Sequence, residues 1–125
     1  MIWTVLQVAL GGALGASSRY LTGVAAVRLL GQGFPFGTLI VNVVGSFLMG
    51  LLFVVLTERG QQGAMPFLLT GVLGGFTTFS AFSLDAMTLF QKGQVGLALV
   101  YVLASVVVSI LALALGLMVA KGAVA

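Results

Sequence analysis

Residues Gly74 to Ser83 read GGFTTFSAFS, the most hydroxyl-dense stretch of a chain that is otherwise strongly apolar. Thr77, Thr78, Ser80 and Ser83 supply hydroxyls, and Phe76, Phe79 and Phe82 recur every third residue. Two further polar rows stand elsewhere. Thr38, Asn42, Ser46 and Gly50 are spaced by four, as are Tyr101, Ser105 and Ser109, so each set lines one face of a helix. Hydroxyls and an amide are hydrogen-bond donors, and the edge of an aromatic ring carries positive partial charge. Together they suit a small dehydrated anion held without a fixed positive charge. Two ionisable residues complete the set. Asp85 and Arg19 lie within apolar segments, where an ionisable side chain is a functional candidate by default. The alternative for Asp85 is pairing with an arginine or capping a broken helix. The alternative for Arg19 is snorkelling to the headgroups rather than holding positive potential near a vestibule.

The elements that position these residues follow from composition. Of 125 residues, 61% are hydrophobic and only 6% charged. A soluble domain carries about 25% charged residues, so the solvent for this chain is lipid. A helical span needs about 20 apolar residues. The expectation is an all-α integral membrane protein forming one domain over residues 1–125, with spans near 2–27, 38–56, 67–90 and 95–120. The connectors are LLGQGFPFG, TERGQQGAMP and QKGQ. The adjacent Gly74 and Gly75 are poor helix formers and predict a break near the middle of the third span. A break frees backbone groups that protein, water or an ion must satisfy, and unwound carbonyls at membrane depth are a recurring way to hold a cation. The remaining glycines read mostly as points of close helix approach.

Several functions are excluded. The chain has no cysteine and no histidine, which removes thiolate chemistry, the commonest metal ligands and the usual general base. With no close pair of acids and no cofactor fingerprint, an enzyme is not expected. The net charge of +3 is too small and scattered for nucleic acid. No lysine follows the glycine pair, so it is not a phosphate loop. The N-terminus MIWTVLQ lacks a basic start, so the first apolar run reads as a retained span. With no targeting segment, the bacterial inner membrane is the expected location. Arg59 and Lys121 fall on one side of the membrane, Arg28 and Lys92 on the other. This two-against-two balance gives the positive-inside rule almost nothing to act on, and predicts insertion in both orientations with oppositely oriented copies pairing, the alternative being a single orientation decided by Arg19 or the lipid environment.

GTLIVNVVGS, GGFTTFSAFS, the YxxxSxxxS spacing and the GASSRY segment together resemble the Fluc/CrcB fluoride channels, in order and over the whole chain. The resemblance implies an antiparallel, dual-topology homodimer of four-span subunits in the lipid bilayer, with two pores. It implies that Phe79 and Phe82 line the fluoride path, that Asn42 donates to the ion, and that Ser105 and Ser109 form a polar track with Tyr101 toward one end. Thr38 and Ser80 would be accessory polar groups. Backbone carbonyls of Gly74 and Thr77 from both subunits would hold a structural Na⁺. Arg19 matches a family arginine, and Asp85 replaces an acid usually written Glu. One departure stands out. Ala81 replaces the threonine of the usual TTFSTFS, which removes a hydroxyl beside Phe82 and predicts slower conduction. Two competing readings are a small dual-topology cation or drug exporter and a non-transporting membrane assembly protein. The exporter needs a carboxylate in the first span, which holds only Arg19. The assembly protein does not call for an amide, an aromatic pair and a hydroxyl ladder in three different spans.

Overall fold

The computed structural model describes all 125 residues, and all of its regular structure is helical. Helix α1 spans Ile2–Leu30 and α2 spans Phe36–Glu58. After a short 3₁₀ turn at Gln62–Ala64, the third segment opens as a π-helix, Pro66–Leu73, which passes directly into one α-turn, α3, Gly74–Phe76. The chain is then extended at Thr77 (φ −87°, ψ 158°) and Thr78 (φ −154°, ψ 126°). It resumes as α4, Phe79–Gln91, and ends with α5, Val95–Val124. Gly31, Gly60 and Gly93, the only residues with positive φ, turn the chain at the three connectors.

Three segments are long and apolar enough to cross a membrane: Phe36–Glu58, the bent Gln62–Gln91, and Val95–Val124. Helix α1 has 29 residues, ample for a hydrocarbon layer of about 30 Å at about 1.5 Å per residue. Its glycines, Ser17, Ser18 and Arg19 dilute its apolar character. Only 18 of 125 residues are buried, and the exposed side chains are dominated by Leu, Val, Ile and Phe. That surface requires lipid or another apolar surface against it.

The helices are held by close backbone approach. A Cβ on Gly15 would strike the Val72 carbonyl, and one on Gly75 would lie 2.7 Å from the Gly12 carbonyl oxygen. A Cβ on Gly11 would press on Phe67 and Gly71. So α1 rests on the first half of the third span through glycine on both sides. A second glycine seam joins α2 and α5, where Gly50 faces Leu113 and Gly116 faces Phe47. In lipid the hydrophobic effect does not drive helices together, and small residues let van der Waals contact do so.

The break differs in position from the sequence expectation. Gly74 and Gly75 remain helical, Gly74 with φ −62° and ψ −36°. The glycine at 75 serves contact with α1, and the helix opens two residues later, at Thr77–Thr78.

Adding a side chain at this seam should separate α1 from the third span. Gly15→Val is expected to cost about 3 kcal/mol or more, through overpacking against backbone that cannot yield. Gly12→Ala, whose Cβ meets nothing within 4 Å, should stay within about 1 kcal/mol of wild type. Unfolding of both variants by SDS titration in mixed micelles checks the pair.

Candidate functional site

The extended residues at 77 and 78 set the geometry of everything around them. A helix that stops inside a span leaves carbonyls on one side and N–H groups on the other without partners. The side chain of Asn42, on α2, meets part of that demand. Its Nδ2 donates to the Thr78 carbonyl at 3.0 Å, and its Oδ1 accepts the Thr78 N–H at 2.8 Å. The amide thus pairs with the main chain as a neighbouring strand would. Helix α4 is capped by Thr78, whose Oγ1 accepts from the Ala81 N–H at 3.1 Å. Thr77 turns its hydroxyl back to the Leu73 carbonyl at 2.8 Å.

The four carbonyls ahead of the break have different fates. Gly75 accepts from Arg19 Nε at 3.0 Å. Gly74 loses its helical donor because the Thr78 N–H goes to Asn42. The Ala81 N–H goes to Thr78 Oγ1, so Thr77 likewise lacks its helical donor. The carbonyls of Gly74, Phe76 and Thr77 have no hydrogen-bond donor within the chain. Gly74 and Thr77 therefore present bare oxygens, the donor type that a hard monovalent cation requires.

On the other side of the break lies a groove of about 300 Å³ between α2, α4 and α5. Asn42, Phe79, Phe82, Ser105 and Ser109 line it, together with Ser46, Thr77 and Thr78, and none of its lining residues is charged. Ser105 and Ser109 are the only buried side-chain polar atoms without a hydrogen-bond partner. Two bare hydroxyls in an uncharged groove that also holds two aromatic rings can solvate a small ion that has shed its water. Phe82 is buried, while Phe79 stands 77% exposed in mid-span. Their ring centroids are 5.3 Å apart.

The aromatic contact continues away from the break. Phe82 lies 5.4 Å from the ring of Tyr101, and Tyr101 meets Phe34 edge-on at 5.5 Å. Tyr101 is fully buried and donates its hydroxyl to Asp85 Oδ2 at 3.1 Å. Asp85 thus neither pairs with an arginine nor caps the broken helix. Its partner is a phenol on α5. Asp85 and Thr38 line a second cavity of about 440 Å³, which opens under the α1–α2 connector beside Phe34 and Lys92. A third cavity, of about 540 Å³, joins Arg19, Arg28, Thr38 and Thr78.

The structure therefore gathers five of the expected residues, Asn42, Phe79, Phe82, Ser105 and Ser109, around one groove. Tyr101 links it to the Asp85–Thr38 cavity. Ser80 does not line the groove; its hydroxyl lies 3.2 Å from that of Thr78. Ala81 lines the Arg19 cavity rather than the groove. A threonine there would add its hydroxyl on the Arg19 side. In the sequence Thr78 stands only as one hydroxyl among four, and Phe34 only as part of a connector. Thr78 precedes α4 as a threonine N-cap does, a signal masked by the glycine pair just before it.

Replacing Asn42 with Leu, of similar shape, leaves both arms of the Thr78 peptide bare. The cost should be about 2–5 kcal/mol locally. Hydrogen exchange at the Thr78 amide should accelerate by at least about thirtyfold, with α2 and α5 amides unchanged.

Comparison with known proteins agrees with this geometry. Residues 6–117 match the family described as CrcB-like protein, Camphor Resistance (CrcB). The chain is 63% identical over 122 residues to a fluoride-specific ion channel FluC of Cereibacter sphaeroides, covering 98% of both chains. It is 58% identical over 123 residues to a FluC of Ruegeria sp., again covering 98% of both. A FluC of Paracoccus denitrificans is 58% identical over 119 residues, 95% of each chain. A match spanning the break, the Asn42 helix and the serine row together leaves one conclusion: this multi-pass membrane protein belongs to the CrcB-like family.

Proposed function

We propose that the chain is a passive, selective fluoride channel that lets the ion leave the cell down its electrochemical gradient. The observation that carries this reading is the uncharged groove with two bare serine hydroxyls beside the Phe79 and Phe82 rings. Fluoride is strongly hydrated, and a narrow pore must replace that water with fixed donors. Ser105, Ser109 and the remaining N–H of the Asn42 amide supply donors, and the ring edges supply positive partial charge. Without a fixed cation in the groove, binding stays weak enough for the ion to leave. Chloride is larger and fits the same donor spacing badly. HF enters cells uncharged and ionises inside, so a passive anion path is sufficient for export. The family is one of channels, not enzymes.

In this reading α1 is the fourth span, and residues 1–125 form one four-span membrane domain in the bacterial inner membrane. Two copies pair in opposite orientations to give two pores. Support comes from the bare carbonyls of Gly74, Phe76 and Thr77 at membrane depth, which need a partner from outside the chain, and from cationic residues balanced between the two ends. A Na⁺ at the centre of the dimer would be held by the bare carbonyls of Gly74 and Thr77 from each copy. When bound, it supplies positive charge that satisfies those oxygens and fastens the two breaks together. The exporter reading is disfavoured because α1 carries no acid and Asp85 is engaged with Tyr101.

Purified protein in liposomes should release fluoride rapidly when a potassium ionophore balances charge, with negligible chloride release. Phe82→Ile should leave a folded protein whose fluoride efflux falls about tenfold or more, the effect of losing an aromatic contact of about 1.4 kcal/mol. Chloride release equal to fluoride release would refute the channel reading. Loss of folded protein in Phe82→Ile would reduce that ring to a packing role.

A further inference from the structure

We infer that Phe34, in the connector between α1 and α2, is a positioning residue for conduction: its ring holds Tyr101 in place and so keeps the Tyr101 hydroxyl on Asp85 at one end of the anion path. The inference rests on the channel reading above and adds a residue outside the groove. The connector reads GQGFPFG from Gly31 to Gly37, and its backbone presents that ring. The Phe36 N–H donates to the Phe34 carbonyl at 2.8 Å across Pro35, whose φ of −79° and ψ of 66° are those of an inverse γ-turn. Proline presets φ for such a turn. The Pro35 carbonyl then accepts from the Leu39 N–H at 3.3 Å, so the turn runs directly into α2. A Cβ on Gly37 would lie 3.0 Å from Gly23 Cα on α1, and this close approach pins the base of the turn to a second helix.

The ring that this turn carries packs inward. Phe34 is partly buried against the core group of Phe82, Leu89, Ala98 and Tyr101. Its ring meets that of Tyr101 at 5.5 Å and 89°, and the Phe36 ring lies 5.0 Å from it. Tyr101 is thus held from two elements. Phe82 and Asp85 reach it from α4, and Phe34 reaches it from the connector. Phe34 also lines the cavity that Asp85 and Thr38 line. Removing its ring leaves space beside Tyr101 and frees that ring to turn. A turned Tyr101 takes its hydroxyl off Asp85 Oδ2, the one hydrogen bond that this carboxyl group receives in the chain. A carboxylate stripped of its donor repels a passing anion.

The test is fluoride efflux from liposomes carrying Phe34→Leu or Phe34→Met, the second because methionine fills irregular space without a ring. Each should stay folded and lose efflux about three- to tenfold, the rate equivalent of one aromatic pair. In a Tyr101→Phe background, which keeps the ring and deletes the hydroxyl, the same substitutions should change efflux less than about twofold. A second readout is the ring of Tyr101 itself. The chain has two tyrosines, so protein labelled with ¹³C-tyrosine gives two sets of ring signals, and Tyr20→Phe assigns them. The two edges of the Tyr101 ring should be distinct in the wild type and averaged in both Phe34 variants. Unchanged efflux, an equal loss in the Tyr101→Phe background, or a Tyr101 ring that behaves alike with and without Phe34 would overturn the positioning role and leave the channel reading intact. Loss of folded protein in both variants would also overturn it, and would make Phe34 a packing residue. Absence of fluoride efflux from folded wild-type protein would overturn the channel reading, and the Tyr101 signals would still decide whether Phe34 holds that ring.

Discussion

The pairing of the Asn42 amide with the Thr78 peptide is the interaction on which the rest of the structure depends. By taking the Thr78 N–H, Asn42 denies Gly74 its helical donor. By donating to the Thr78 carbonyl, it holds the main chain extended where a helix would otherwise continue. One neutral side chain thus keeps a span divided at a depth where broken backbone is costly. The division has two polar products. Carbonyl oxygens gather at the end of α3, and N–H groups gather at the start of α4. Both sets of bare backbone groups stand at membrane depth, and no charged side chain lines the groove beside them.

Such a break survives only if the flanking helices cannot slide. The glycine contacts of α1 with the third span, and of α2 with α5, bring backbones close enough to fix their positions. Arg19 adds a polar anchor from α1 to the Gly75 carbonyl, so its role is neither free snorkelling nor vestibule charge alone. At the far side, Tyr101 is held between Phe34, Phe82 and Asp85. It thereby joins Phe82, on the groove, to Asp85, on the neighbouring cavity. The groove between α2, α4 and α5 is thus bounded by helices fixed at both ends.

Much of this was legible in the sequence, for identifiable reasons. Apolar runs with Gly and Pro connectors marked α2, the third span and α5, because helix length is dictated by the bilayer. Spacing by four placed Asn42 with Ser46, and Ser105 with Ser109, on the faces that now line the groove. The site of the break was read two residues early. Glycine has low helix propensity, but packing against α1 overrides it at Gly75. The true break is decided by Asn42, 36 residues away, a contact that no local rule encodes. The Tyr101–Asp85 bond and the Arg19–Gly75 bond were hidden for the same reason: each joins residues distant in the chain.

The most direct test of the divided third span is a high-resolution structure of the protein in lipid, determined in sodium fluoride. Thr77 and Thr78 should be extended, with Asn42 bonded to the N–H and the carbonyl of Thr78, density for a cation at the Gly74 and Thr77 carbonyls, and density for an anion in the Phe79–Ser105 groove. A third span with continuous helical hydrogen bonds from Gly74 through Ser80, and Asn42 turned away, would contradict it.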